Sequence, residues 1–212
     1  MRDPMHGPHA TSPVLRTTPK RHPVPPGRKP DAELRPRFYL TPDEVEILIK
    51  AAATGITGHR DATMILLAYR HGLRVSELVN LRWDHIDFRR AKLHVRRAKK
   101  GAEFAHPLTA RETRALQRLK RESPPSAFVF VTWNGRPLTI AGFAKMLTRL
   151  GAELGWNWSP HPHVLRHACG YKLANDGVDT RTIQDYLGHR NIRHTVTYTA
   201  LSEYKFRDLW TD

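Results

Sequence analysis

Residues 161–200 read HPHVLRHACGYKLANDGVDTRTIQDYLGHRNIRHTVTYTA, and the order of polar groups in this stretch decides how the whole chain is read. The pattern predicts helices interrupted at Gly177. On a helix, His163 and Arg166 lie three apart and share a face, so both can reach one phosphate. His163 and His167 lie four apart, which also suits a metal. Val164, however, stands where a zinc-protease HExxH motif carries its glutamate. The plainer reading of either histidine is a partly buried structural residue. Leu187-Gly188-His189 is followed nine residues later by Tyr198. A lone tyrosine near a chain end is ordinarily an amphipathic core residue.

Upstream, His71-Gly72-Leu73-Arg74-Val75-Ser76-Glu77-Leu78 places Arg74 at a helix entrance beside a glycine turn. Backbone amides and a guanidinium can converge on an anion there. Taken alone, the segment also reads as an exposed arginine after a helix end, with Glu77 its i,i+3 partner. Further out, Thr41-Pro42-Asp43-Glu44 is a capping box with proline at the first helical position, and Leu40 with Val45 forms the hydrophobic staple. Val45, Leu48, Ile49 and Ala52 follow at helical spacing. A second helix is expected over 59–70, turning Met64, Ile65, Leu66 and Leu67 inward, and a third over 75–82. The period then becomes extended: 86–88, 92–96 and 103–107 read as short strands joined by the basic turns Arg89-Arg90 and Lys99-Lys100-Gly101. Thr109 and Glu112 form a second capping box, opening a helix through Leu116 and Leu119. Residues 128–131 are apolar enough for a strand. From Leu138 helices dominate, with breaks expected at Gly151, at 156–162 and at Gly177. The fold class is therefore mainly α with a small antiparallel β-sheet.

The 212 residues carry 35 Lys+Arg against 20 Asp+Glu, a formal charge of +15. That surplus calls for a polyanionic partner, nucleic acid first. The single cysteine, Cys169, excludes a disulfide framework and a cysteine-based zinc site, and points to a reducing compartment. The longest apolar run, 64–69, is too short to span a membrane, and residues 1–10 lack the apolar core of a signal peptide. The chain is expected to be cytoplasmic and nucleoid-associated. Residues 1–38 are rich in proline and hold eight basic and three acidic residues. They read as a disordered basic tail.

Two arginines, two histidines, a lysine on a hairpin and a late tyrosine meet the needs of phosphoryl transfer without a metal. They supply cations for the developing charge, proton donors and an oxygen nucleophile. Through HGLRVSEL, HPHVLRH, LGH and the tyrosine after TVT, the sequence resembles the tyrosine recombinases, also called the phage integrase family, over residues 40–210. Residues 161–200 resemble in particular the Fim-type members, which invert the promoter segment of bacterial type 1 fimbriae.

The resemblance implies a tyrosine recombinase catalytic domain over 39–212, with no separate core-binding domain before it. It assigns catalysis to Arg74, Lys99, His163, Arg166, His189 and Tyr198, with Glu77 supporting Arg74. Lys99 stands eight positions before Pro107-Leu108, as the family's hairpin lysine does; Lys100 is the alternative. The basic stretch with Arg89, Arg90, Lys92, Arg96, Arg97 and Lys100 contacts backbone phosphates or forms a solvated hairpin face. The implied activity is site-specific recombination through a 3′-phosphotyrosyl intermediate, with neither cofactor nor metal. The implied partners are double-stranded DNA with specific recombination sites and a homotetramer of the chain itself, away from membranes. The apolar-rich end, with Leu201, Tyr204, Phe206, Leu209 and Trp210, packs on its own domain or docks on a neighbouring protomer. Two other readings stay open: a type IB topoisomerase that relaxes DNA without site selection, and a non-catalytic DNA-binding regulator on the same fold.

Overall fold

Thr41 starts the first helix as its sequence requires. The Thr41 hydroxyl accepts from the Glu44 N–H at 3.3 Å, and the Glu44 carboxylate accepts from the Thr41 N–H at 2.8 Å. The computed structural model describes residues 39–96 and 103–200. The expected tail at 1–38, the hairpin turn with Arg97, Lys99 and Lys100, and the terminal apolar segment all lie outside the described residues.

Helix α1 (Pro42–Ala52) buries Val45, Leu48, Ile49 and Ala52 against α2 (Gly58–Arg70). Helix α2 is the central element, buried along Met64, Ile65, Leu66, Leu67 and Ala68. Helix α3 (Val75–Val79) is shorter than expected. Leu81 turns its carbonyl to the Val129 N–H at 2.9 Å and Arg82 forms an antiparallel bridge with Phe128. The chain therefore leaves the helix early to make tertiary backbone bonds, then passes through a 3-10 turn at Trp83–His85.

The three expected strands are present as β1 (Ile86–Asp87), β2 (Lys92–Arg96) and β3 (Glu103–Pro107), ordered β1-β2-β3 and antiparallel throughout. Ile86 pairs with Leu93, which pairs with His106, and all three are buried. Helix α4 (Ala110–Glu122) opens on the second capping box and buries Glu112, Leu116 and Leu119. Residues 128–131 form no ladder beyond single bridges at Phe128 and Val131. Val129, Phe130 and Val131 are apolar because the core encloses them.

Helix α5 (Ile140–Glu153) continues through Gly151, against expectation. Pro160 occupies the space that a side chain at Gly151 would need, so this glycine serves close packing. The last three helices are α6 (Pro162–Asn175), α7 (Thr180–Leu187) and α8 (Arg193–Ala200), with Gly177 between α6 and α7 as predicted. Helix α6 packs on α2, α7 and α8, which brings the motifs of both chain halves to one face.

The second capping box does more than start a helix. Glu112 is 1% exposed and its Oε1 lies 3.0 Å from His71 Nε2. Burial alone pushes the Glu112 carboxyl up, but the hydrogen bond and charge of His71, with the hydrogen bonds from Thr109, hold it at about 2. The folded value lies below the unfolded one, so the contribution is complete above pH 4.5 and is lost as pH falls toward 2. Urea unfolding of Glu112→Gln should show a deficit against the unmodified protein at pH 6 that narrows steadily by pH 3; a deficit constant across that range refutes the assignment.

Candidate active site

Pro162, at the first helical position of α6, sets the start of a helix whose next turn carries His163, Arg166 and His167. Arg166 is 1% exposed, and its guanidinium donates from Nη1 to the Gly72 carbonyl at 2.5 Å and from Nη2 to the Leu187 carbonyl at 2.6 Å. These acceptors belong to the turn before Arg74 and to the Leu-Gly-His turn. Gly72 has a φ of +54°, and the Leu187 side chain fills the space where a Cβ would stand. The two turns are thereby pressed together around one cation.

Arg74 shares the same collar. Its Nη2 donates to the Gly188 carbonyl at 2.9 Å and its Nη1 to Glu77 Oε1 at 2.9 Å. The other carboxylate oxygen of Glu77 accepts from the Arg74 backbone N–H at 2.8 Å, so Glu77 fixes both the backbone and the side chain of Arg74. The Arg74 side chain is 36% exposed, which leaves it open to an anion from solvent. Beyond Gly188, His189 Nδ1 lies 2.8 Å from the Thr195 hydroxyl, and Thr195 is fully buried on α8.

Tyr198 is 2% exposed on the inner face of α8, with its ring over Gly170. A Cβ at Gly170 would lie 2.5 Å from that ring, so only glycine admits the tyrosine here. The phenol hydroxyl lies 3.0 Å from His167 Nδ1, and the His167 ring meets His163 edge-on at a centroid distance of 4.8 Å. Burial pushes the Tyr198 phenol up to about 12, opposed by the positive charge of Arg166. Burial, followed by the charges of His163, His161 and Arg166, pushes His167 down to about 4. The imidazole is thus neutral and the phenol keeps its proton, and the two share one hydrogen bond. Desolvation and the charges of Arg166, His161 and Arg74 also lower His163, although its ring reaches the surface.

Of the residues named from sequence, Arg74, Glu77, His163, Arg166, His189 and Tyr198 converge on this one face. Lys99, Lys100 and Arg97 lie outside the described residues, as does the side chain of Arg96. Arg89 and Arg90 are exposed in the turn between β1 and β2, and Lys92 is exposed at the start of β2. The Arg89 and Arg90 amides both donate to Asp87 at 2.9 Å, and the Arg90 guanidinium reaches the same carboxylate at 3.3 Å. Sequence reasoning missed His167 as the tyrosine's partner and missed Thr195 altogether. The second was legible, since Thr195 and Tyr198 lie three apart and share the buried face of a helix. Among the described residues no group of three or more His, Cys, Asp or Glu is placed to hold a metal, and no helix is long and apolar enough to cross a membrane.

The profile of the phage integrase family matches residues 39–205. The chain belongs to the phage integrase family. Among its relatives, the type 1 fimbriae regulatory protein FimE of Escherichia coli strain K12 is 44% identical over 180 residues, covering 82% of this chain and 91% of FimE. Tyrosine recombinase XerD of Listeria monocytogenes serotype 4b is 32% identical over 180 residues, covering 81% of this chain and 60% of XerD. The crystal structure of XerA recombinase superposes with a TM-score of 0.68 at 27% identity, over 78% of this chain and 61% of XerA. The XerH site-specific recombinase, solved on its palindromic difH substrate, has a TM-score of 0.68 at 21% identity, over 79% of this chain and 50% of XerH, and shares the fold. The family's fold is thus mainly helical with the small antiparallel sheet expected from sequence.

The electrostatics of the buried tyrosine are open to measurement. In an NMR pH titration, with His167→Gln used for assignment, the His167 ring should remain neutral until the pH approaches about 4. Protonation near the ordinary histidine value would show that this ring is not desolvated.

Proposed function

We propose that this site-specific tyrosine recombinase uses Tyr198 to open a DNA phosphodiester, with Arg74 and Arg166 holding the scissile phosphate. The observation that carries the assignment is the shared collar: carbonyls of Gly72, Leu187 and Gly188 orient both guanidiniums at the face where Tyr198 meets His167. Planar guanidinium forks suit phosphate oxygens better than an ammonium does. Tyr198 Oη attacks phosphorus in line; the Oη–P bond forms, the bond to the 5′-oxygen breaks, and a 3′-phosphotyrosyl link and a 5′-hydroxyl result. Lys99 protonates the leaving oxygen, His189 donates to the developing charge, and the phenol proton passes to the His167 ring 3.0 Å from Oη, with His163 beside that ring assisting the transfer. Glu77 acts through Arg74.

The linkage conserves the energy of the broken bond, so rejoining needs no nucleotide. Because Tyr198 is almost fully buried, α8 has to shift before Oη reaches phosphorus. The basic residues Arg89, Arg90, Lys92, Arg96, Arg97 and Lys100 contact backbone phosphates, which makes binding salt-dependent. Four such sites act together as a homotetramer on two double-stranded DNA recombination sites. The outcome is inversion of a DNA segment in the cytoplasm, at the nucleoid; the likeness to a fimbriae regulatory protein supports that choice.

A nicked duplex that traps the covalent intermediate tests the chemistry. The protein should form an adduct on a cognate site in the presence of EDTA, and Tyr198→Phe should lose it while binding the same DNA within about two-fold. Binding without any adduct by the unmodified protein would make the chain a DNA-binding regulator. Relaxation of supercoiled DNA that lacks a recombination site, with no recombinants, would make it a topoisomerase.

A further inference from the structure

Behind the arginine collar lies a polar cluster, buried at His71, His106 and Glu112 and half-buried at Tyr186, that the chemistry above leaves without a task. His71 and Glu112 are each 1% exposed and His106 is 3% exposed. His71 Nε2 faces Glu112, while its Nδ1 lies 3.3 Å from His106 Nδ1 and 3.4 Å from the Tyr186 hydroxyl. Tyr186 donates that hydroxyl to the Arg70 carbonyl at 2.9 Å and stacks on the His106 ring at 4.1 Å.

The four side chains come from four segments: the end of α2, strand β3, the first turn of α4 and the last turn of α7. Their neighbours in sequence give the cluster its meaning. His71 immediately precedes Gly72, and Tyr186 immediately precedes Leu187, the two residues whose carbonyls hold Arg166. One residue further, Gly188 holds Arg74. The Tyr186 hydroxyl therefore ties the two collar turns together from behind, and His106 keys the β2–β3 hairpin to the same knot.

We propose that Tyr186 and His71 are positioning residues, which set the separation of the two turns and so aim Arg74 and Arg166 at one phosphate. This rests on the recombinase reading above. Neither residue touches the reacting atoms. A shift of the collar by a fraction of an ångström turns both forks away from the phosphate oxygens, and misplacement on the ångström scale costs about a hundred-fold in rate.

Tyr186→Phe deletes one oxygen and keeps the ring stack, so it is the sharpest variant. Adduct formation at saturating DNA is measured with the full chain on two nicked substrates, one with an ordinary scissile phosphate and one with a methylphosphonate lacking a charged oxygen. On phosphate the variant should be slower by about ten-fold, with DNA affinity within about two-fold. On the methylphosphonate, where less charge has to be held, the deficit should shrink to about three-fold or less. A cluster that serves stability alone would lower the melting temperature and give equal deficits on both substrates, or none; either result overturns the proposal. His71→Gln should reproduce the substrate-dependent deficit, and provides the decision if Tyr186→Phe does not fold. Failure of the unmodified protein to form any adduct sinks the recombinase reading, a separate outcome from a working enzyme indifferent to Tyr186→Phe.

Discussion

The buried guanidinium of Arg166 is the constraint on which the rest of the site depends. Removing a charge from water costs several kcal/mol unless hydrogen bonds replace the lost hydration. Two of those bonds go to the Gly72 and Leu187 carbonyls, 94 and 21 residues distant in sequence. Both acceptors are backbone carbonyls, so the bonds form only when the backbone path of both turns is held. Gly72 takes a left-handed conformation and leaves room for Leu187, which lets the turns meet. Arg74, Glu77 and His189 occupy their places because they flank those two turns.

Tyr198 shows a second balance of forces. Its burial raises the phenol to about 12, whereas the nearby Arg166 charge acts in the opposite sense. A neutral His167 ring shares a hydrogen bond with the hydroxyl. Tyr198 therefore sits protonated and shielded beside Arg166. Helix α8, which carries this phenol, packs on α6 and α7.

Local rules were readable where local energies decide. Both capping boxes form as written, because the Thr41–Glu44 and Thr109–Glu112 bonds involve residues three apart. The strands follow from alternation, and the hydrophobic faces of α1, α2 and α4 from helical spacing. Local rules failed where distant backbone competes. Helix α3 stops early because Leu81 bonds Val129, and Gly151 stays helical because Pro160 packs on it; residues 128–131, which length left open, fill the core.

The sequence by itself determined the inventory: the arginines, histidines, acidic residue and tyrosine in family order, and the helices that carry them. Spacing on one helix or one turn is enough to settle such matters, since the groups concerned are covalent neighbours. Only the tertiary structure decided that His167 and not His163 meets the tyrosine, that Thr195 steadies His189, and that a His71–His106–Glu112–Tyr186 cluster backs the arginine collar. Those pairings join segments far apart in the chain, and their geometry follows from which carbonyls the buried Arg166 can reach.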